Sequence, residues 1–352
     1  MMQYALLGAS GLVVSKLAFG AMTFGGASSY GLGKVDLKGA EALIGQALDA
    51  GVNLFDTADV YNEGQSEELL GQALGARRKD VLISTKVGAK VGAGLLDCRL
   101  SAHHIHRSID GSLKRLGTDW VDVYICHRPD FLTPIEETIL ALDQVVRAGK
   151  ARYIAFSNWP AWMAAKAIEI QKREGLARFV AGQMYYSLVG RDVEAEVIPC
   201  ALDEGFGLMV WSPLAAGFLS GKYTAADPTG DGGRLASRES ASAPADKRQA
   251  WLPILDAVRQ VAEARGAAMA TVAISWLMQR PGVSTVLVGA TKPEQLAQNL
   301  EAADLVLTPE EMAALEQVSR PELRYPQTFL PRVYQDPAYA AVGRLPEAFA
   351  SH

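Results

Sequence analysis

Four side chains suited to proton chemistry stand at or just after predicted strand ends: Asp56, Tyr61, Lys86 and His127. Three short β-type runs, Asn53 to Asp56, Val81 to Lys86 and Val121 to His127, each finish on a polar residue. Alternation along a strand puts Leu54 with Asp56, Leu82 and Ser84 with Lys86, and Val123 and Ile125 with His127 on one face. Three successive strands would therefore aim a carboxylate, an ammonium and an imidazole at one mouth. Tyr61 follows Asp56 in a polar turn and is within reach, since five residues span at most ~17 Å. Singly, each has an ordinary structural reading: Asp56 as a turn cap, Tyr61 as a surface aromatic, Lys86 as a snorkelling side chain, His127 as a satisfied core histidine. Together they suit a general acid that protonates a carbonyl oxygen as hydride arrives at carbon. The expectation is that Lys86 lowers the Tyr61 phenol from its usual range, Asp56 holds Lys86, and His127 donates to the substrate oxygen. The set holds no nucleophile, so the hydride must come from a bound cofactor.

The elements that would position this set alternate along most of the chain. The other predicted strands are Leu17 to Phe19, Ala151 to Ser157, Ala181 to Tyr185, Gly207 to Trp211 and Thr285 to Val288. Between the eight strands lie amphipathic stretches: Leu37 to Ala50, Ser66 to Leu74, Ala102 to Leu116, Pro134 to Ala148, Ala161 to Glu174, Val193 to Glu204, a pair over Ala250 to Gln279, and Pro293 to Ala302. Strands joined by helices run parallel, and eight such units close into a (β/α)8 TIM barrel, an α/β fold. No strand leads through GxGxxG into a helix, which argues against a doubly wound sheet. The expected organisation is a single domain over residues 1–352, with its core at about 16–303 and a C-terminal extension at 304–352. Tyr4 to Gly8 and Leu12 to Ser15 predict an N-terminal hairpin on the barrel floor, and Pro309 to Val318 a further helix before the tail. The stretch Ala215 to Arg248 after the seventh strand is far longer than ordinary connections and predicts a lid or ligand clamp.

At 352 residues and 49% hydrophobic, the chain can bury a large core, and its formal net charge of -5 gives no footprint for nucleic acid or an anionic membrane. Cys98, Cys126 and Cys200 lack metal-ligand or CxxC spacing, so free thiols in a reducing compartment are expected. With neither a basic leader nor an apolar run of spanning length, the expected location is cytoplasmic.

The segments FDTADVYNEGQSEELLG, ISTKVG, YICHRPD, FSNW, WSPLAAGFLSGKY and VGATKPEQLAQN resemble, in this order, the aldo-keto reductase superfamily over about Tyr4 to Val318. The resemblance implies NAD(P)H-dependent interconversion of a ketone or aldehyde and its alcohol, with Tyr61 as general acid, Asp56 and Lys86 tuning it and His127 orienting the carbonyl. It also implies cofactor contacts. Gly20 closes the first strand at the cofactor mouth, Ser157, Asn158 and Gln183 match residues that hold the nicotinamide carboxamide, and Trp211 takes the place of a tyrosine that stacks on the ring. Ser212, Leu214, Gly217, Ser220 and Lys222 match the pyrophosphate loop, and Gly289, Thr291, Gln295, Gln298 and Asn299 the adenosine end. The family often has Arg or Lys at the positions of Thr291 and Gln295, which here are neutral with Lys292 adjacent; NADP(H) is expected ahead of NAD(H). The resemblance equally covers channel-associated β subunits, so a cofactor-binding regulatory subunit with slow chemistry is the alternative. A lyase with Lys86 as a Schiff base is a third reading.

Met22, Phe24, Tyr30, Arg128 and Trp159 are candidates to line a substrate pocket. His103, His104 and His106 read as a solvated helix face, since only His103 and His106 share a side and no third ligand follows, so no metal is expected. Gly217 to Tyr223 resembles a P-loop, but its glycine spacing is one short and Tyr223 stands where Ser or Thr belongs. Cys126 adjoins His127 but alternation turns it to the opposite face, away from any nucleophile role.

Overall fold

A computed structural model describes residues 1–26, 34–223, 240, 242–322, 324–333 and 335–342. Its centre is a closed parallel barrel of β3 (Leu17–Gly20), β4 (Leu54–Asp56), β5 (Leu82–Val87), β6 (Val121–Cys126), β7 (Ala151–Ser157), β8 (Phe179–Tyr185), β9 (Gly207–Trp211) and β10 (Val283–Val288), with β10 returning to β3. Helices cover the outside, so both faces of each strand are enclosed, and β6 and β10 are buried along their whole length. This is the (β/α)8 architecture that the strand-helix alternation predicts.

The side chains divide as period two requires. Ala18, Leu54, Val123, Ile125, Ala155, Ala181, Met209 and Leu287 fill the barrel interior, while Phe19, Phe55, Ile83, Tyr124, Cys126, Phe156 and Val210 face the helix layer. The N-terminal strands β1 (Tyr4–Leu6) and β2 (Val13–Ser15) pair antiparallel, and Leu7 and Val14 join the interior cluster from the floor. Gly8 allows that closure. Its φ is +58, and a Cβ there would lie 2.5 Å from the Val180 carbonyl oxygen.

Helix starts and stops follow local chemistry. Asp36 caps α1 (Leu37–Asp49) through Gly39 N, and Ala40, Leu43, Ile44 and Ala47 recur on its buried side. In α3 (Ala102–Leu116), Ser101 caps the start and Gly117 takes the left-handed turn at the end. Between them α2 (Gln65–Leu74) begins one residue before the predicted Ser66. Further round lie α4 (Ile135–Arg147), α5 (Ala161–Glu174) and α6 (Val197–Glu204). The predicted helix from Val193 is split here, because Asp192–Glu194 forms a separate 3-10 turn tied by Arg191 to Glu194.

The paired region resolves into helices Leu252–Arg265 and Met269–Met278, with Gly266 in the left-handed conformation between them. After Ala303 the helix Pro309–Ser319 starts on a reciprocal Thr308–Glu311 capping box and docks through Arg191 onto Ser319 Oγ and Arg280 onto Glu316. The tail beyond it holds the short helices Leu330–Val333 and Pro337–Val342, which the sequence pattern did not indicate. Of the predicted lid, residues 224–239 and 241 lie outside the described residues. No described helix is long and apolar enough to cross a membrane.

Candidate active site

Strand register brings the predicted acid-base set together at the C-terminal end of the barrel. Asp56 pairs with Ser84 across β4 and β5, and Lys86 with Ile125 across β5 and β6. His127 lies one residue past β6, its N–H still bonded to the Val87 carbonyl at 2.8 Å, so the ladder fixes its backbone although the strand ends at Cys126. The same ladder extends from β4, because Thr57 N bonds Ser84 O and Asp59 N bonds Lys86 O. Tyr61 then opens a 3-10 turn in which Asn62 and Glu63 adopt left-handed φ values of 48 and 59. Asn62 holds that turn in place by donating its amide to the carbonyls of Met22 and Phe24 at 3.0 and 2.6 Å.

Lys86 is fully buried, and its three N–H donors all have acceptors: Asp56 Oδ2 at 2.6 Å, the Thr57 carbonyl at 2.6 Å and Tyr61 Oη at 3.3 Å. Asp56 also accepts from Ser84 Oγ at 2.7 Å and Gln183 Nε2 at 2.9 Å. Burial works against the ammonium, but Asp56 and Tyr61 outweigh it and hold Lys86 above its usual pKa. A permanently charged amine with every hydrogen engaged is a poor nucleophile, which argues against the Schiff-base reading.

Lys86 donates to the phenolic oxygen, so the phenol's own proton is not spent on that bond. The expected lowering of Tyr61 does not occur. Burial exceeds the Lys86 attraction, with Asp56 and Asp59 adding to it, and the phenol lies above its ordinary value. Tyr61 is therefore held in its acid form.

His127 packs edge-on to Tyr61, with ring centroids 5.6 Å apart at 82°. Burial, helped by Lys86 and Arg128, pushes its imidazole down to about 3, so it is neutral at physiological pH. Its buried Nδ1 finds no hydrogen-bond partner among the described residues. Phenol and neutral imidazole together form a polar pair at the mouth.

The residues implied for a nicotinamide cofactor border this pair. Asn158, with φ 60, donates Nδ2 to the His127 carbonyl at 3.1 Å and to Ser157 Oγ at 2.9 Å, while its Oδ1 accepts the Trp211 indole N–H at 3.1 Å. Ser157 Oγ donates to the Gln183 carbonyl. Trp211 is half-buried, with Tyr185 against it at 5.2 Å. Beyond β9, Ser212, Leu214, Gly217 and Ser220 lie on a tight double turn, with Ser212 Oγ receiving Ala216 N, Ser220 Oγ donating to the Gly217 carbonyl, and Lys222 exposed at its end.

On the other side of the mouth, Gly20 and Gly289 meet closely; a Cβ on Gly289 would lie 3.4 Å from the Gly20 carbonyl. Thr291 donates from N and Oγ1 to Gln295 Oε1, and Asn299 reaches the Gly289 carbonyl at 3.4 Å. Gln298 is exposed at the same helix. That helix, Pro293–Leu300, has no side-chain cap at Lys292; Pro293 brings no N–H, and Gln295 N and Leu296 N bond the Lys292 carbonyl at 3.2 and 3.3 Å, which leaves the Glu294 N–H as the donor of that turn that could meet an anion. A half-exposed indole beside the acid pair and an uncapped helix start across the mouth fit the two ends of a dinucleotide.

Not every pocket candidate lines the mouth. Trp159 is 1% exposed and packs between Phe156 and Phe179 in the helix layer, and Phe24 is fully buried against Phe19. Both are large apolar rings and serve as core. Met22 is half-buried, Arg128 is exposed and donates to the Gly88 carbonyl, and Tyr30 falls outside the described residues. On α3 the reading of the histidines needs one correction: His103 is exposed, but His104 is 1% exposed and turned into the protein, since a helix start still buries every third or fourth residue. Among the described residues no group of three or more His, Cys, Asp or Glu could hold a metal ion. Cys126 is buried outside the barrel as alternation predicts, and burial raises its thiol far out of the reactive range.

With this geometry established, the comparisons with known proteins bear on it directly. A family model described as "Aldo/keto reductase family" matches residues 16–320. The chain belongs to the aldo-keto reductase family. It is 41% identical over 324 residues to a protein of Oryza sativa subsp. japonica named "Probable voltage-gated potassium channel subunit beta", covering 90% of this chain and 96% of that one. An Arabidopsis thaliana protein of the same name is 38% identical over 335 residues, 93% of this chain and 100% of that protein. The "Versiconal hemiacetal acetate reductase" of Aspergillus parasiticus is 36% identical over 351 residues, 92% of this chain and 99% of that protein. Aldo-keto reductases generally use NAD(P)H, which agrees with a site that offers a proton donor and no nucleophile.

Sequence reasoning missed three groups around this site. Ser84 could have been found, since it shares the inward face two residues before Lys86. The Thr57 carbonyl could not, because a main-chain acceptor leaves no residue signature. A third, Asp59, turns away from the mouth and accepts from Ser108 Oγ of α3 at 2.7 Å, while its Oδ1 has no partner among the described residues. Burial, followed by the nearby Glu67, pushes its carboxyl up to about 7 against the opposing effects of Ser108 and Arg115. Between the unfolded value of 3.8 and about 7, the folded state therefore binds more protons than the unfolded state. Stability from this group is present at acid pH and declines as pH rises through that window, by on the order of 4 kcal/mol. His127 works in the opposite sense, losing stability as pH falls from 6.5 toward about 3. The difference between wild type and Asp59→Asn isolates the first effect. Urea unfolding should show Asp59→Asn gaining on wild type from pH 4 to about pH 7 and levelling off above that; a constant difference between pH 4 and pH 7 contradicts the assignment.

Proposed function

We propose that this chain is an NAD(P)H-dependent oxidoreductase that interconverts a ketone or aldehyde and the corresponding alcohol. The observation that carries the reading is the state of Lys86: all its donors are engaged, one of them on the Tyr61 oxygen, which leaves the phenolic proton free beside a neutral His127. Bound reduced nicotinamide would supply a hydride to the carbonyl carbon. Tyr61 gives its proton to the carbonyl oxygen, His127 orients that oxygen, and the Lys86 ammonium stabilises the phenoxide left behind. Asp56, anchored by Ser84 and Gln183, keeps the ammonium in place.

Ser157, Asn158, Gln183 and Trp211 would hold the nicotinamide end, and Ser212 to Lys222 with the uncapped helix at Pro293 would hold the phosphates. NADP(H) is the expected partner ahead of NAD(H). Lys292 is exposed at that helix start, and Gln295 is already occupied by Thr291. The test follows nicotinamide absorbance with NADPH and NADH against a panel of aldehydes and ketones. Steady oxidation of NADPH with some member of the panel is expected; binding of neither nucleotide would remove the proposal.

The names of the rice and Arabidopsis relatives favour a second reading, a cofactor-binding regulatory subunit with slow or vestigial reductase activity. It predicts tight nucleotide binding with turnover too slow to sustain a cycle, together with copurification with a membrane partner. The complete acid-base set supports turnover.

A further inference from the structure

The proposed cofactor site contains one aromatic side chain that neither the motifs nor the acid-base chemistry employ. Tyr185 ends β8 directly beside Trp211, which ends β9, since the two are partners in the parallel register. Their ring centroids are 5.2 Å apart with the planes inclined at 38°, so the phenol covers one side of the indole. On the indole's edge, Nε1 donates to Asn158 Oδ1 at 3.1 Å. A backing ring and an edge hydrogen bond together restrict both the tilt and the rotation of Trp211.

Tyr185 is itself fixed from several directions. Its hydroxyl donates to the Ser242 carbonyl at 2.7 Å and shares a hydrogen bond with Ser187 Oγ at 3.0 Å. Ser187 and Gly190 close a tight turn through reciprocal backbone bonds of 3.2 and 3.0 Å. Gly190 in that turn has no positive φ to explain it. The reason for glycine is the tyrosine: a Cβ there would lie 2.3 Å from Tyr185 Cε1 and 2.6 Å from Cζ. Ser242 Oγ in turn contacts Ser212 Oγ at 3.2 Å and Ser240 Oγ at 3.0 Å, which ties the chain's return from the long connection to the start of the proposed pyrophosphate turn. Burial raises the phenol to about 12, so it remains a donor at any working pH.

We propose that Tyr185, seated on Gly190 and clasped to Ser242, is a positioning residue that sets the plane of Trp211 for stacking on the nicotinamide ring. The inference rests on the nicotinamide reading above. It assigns Tyr185 an effect on cofactor affinity that passes entirely through Trp211. An aromatic pair of this kind corresponds to a change of up to about tenfold in a binding constant.

The test is a double-mutant cycle on NADPH dissociation constants by titration calorimetry, using wild type, Tyr185→Leu, Trp211→Leu and the double variant. Tyr185→Leu should weaken binding several-fold, and the double variant should bind no more weakly than Trp211→Leu alone. Tyr185→Phe keeps the ring and loses the Ser242 clasp, so it should fall between wild type and Tyr185→Leu; it also serves if the leucine variant fails to fold. Gly190→Ala, which pushes on the ring without touching Trp211, should weaken binding as Tyr185→Leu does. Additive effects of Tyr185→Leu and Trp211→Leu, or wild-type affinity in both Tyr185 variants, would overturn the proposal while leaving the nicotinamide site intact. A wild-type protein that binds neither NADPH nor NADH would overturn both this proposal and the reading on which it rests.

Discussion

Tyr61→Phe is expected to slow carbonyl reduction by about 10²–10⁴-fold, the usual contribution of a positioned general acid, with NADPH affinity unchanged. The substitution removes one O–H and keeps the ring that sits 4.7 Å from Lys86 Nζ and edge-on to His127. Lys86 retains Asp56 and Thr57 as acceptors, so the ion pair persists. What is lost is the proton that the carbonyl oxygen needs. The pH profile carries the same signature. Because burial holds the phenol above its ordinary value, wild-type reduction should be flat through neutrality, while alcohol oxidation, which needs Tyr61 to accept a proton, should rise with pH. His127 should give no break near 6.5, since its imidazole titrates at about 3. Steady-state rates of both directions, with nucleotide affinity measured in parallel, check each statement.

Lys86→Met carries the second large effect, and it falls on stability as well as activity. Asp56 is 4% exposed, and with the ammonium gone it would keep only the neutral donors Ser84 and Gln183. Breaking a buried pair from one side costs about 3–5 kcal/mol, because the remaining charge is uncompensated. Asp56→Asn added to Lys86→Met should restore much of that loss, since it removes the stranded charge while preserving shape. Urea unfolding of the two single variants and the double variant measures this coupling. Lys86→Met as stable as wild type would contradict the picture of Asp56 and Lys86 as one buried unit. None of the three variants is expected to sustain catalysis.

Much of this arrangement is written in the sequence, for identifiable reasons. Alternation in LFD, LISTKV and VDVYIC separates barrel-facing from helix-facing side chains, and it leads from Leu54, Ser84 and Ile125 to Asp56, Lys86 and His127 without a structure. The strand count is legible because helices of 3.6 periodicity punctuate it. The protonation balance is not legible: whether Lys86 lowers Tyr61 or burial raises it depends on how deeply the turn after β4 is enclosed. That depth is set by Asn62 reaching back to the Met22 and Phe24 carbonyls across about 40 residues of sequence. Trp159 and Phe24 illustrate the same limit, since an aromatic residue near a strand end can face the mouth or the helix layer, and neighbouring packing decides which. Tyr185 escaped notice because its importance depends on Trp211 and Gly190, neither of which identifies it locally.

The most direct test of the central claim is a single turnover of the NADPH-loaded protein mixed rapidly with an excess of an accepted aldehyde, comparing wild type with Tyr61→Phe. The geometry of Asp56, Tyr61, Lys86 and His127 predicts that wild type consumes its bound NADPH in one fast phase while Tyr61→Phe, equally loaded, retains it over the same interval. Consumption at the wild-type rate in Tyr61→Phe would contradict the assignment of Tyr61 as the proton donor.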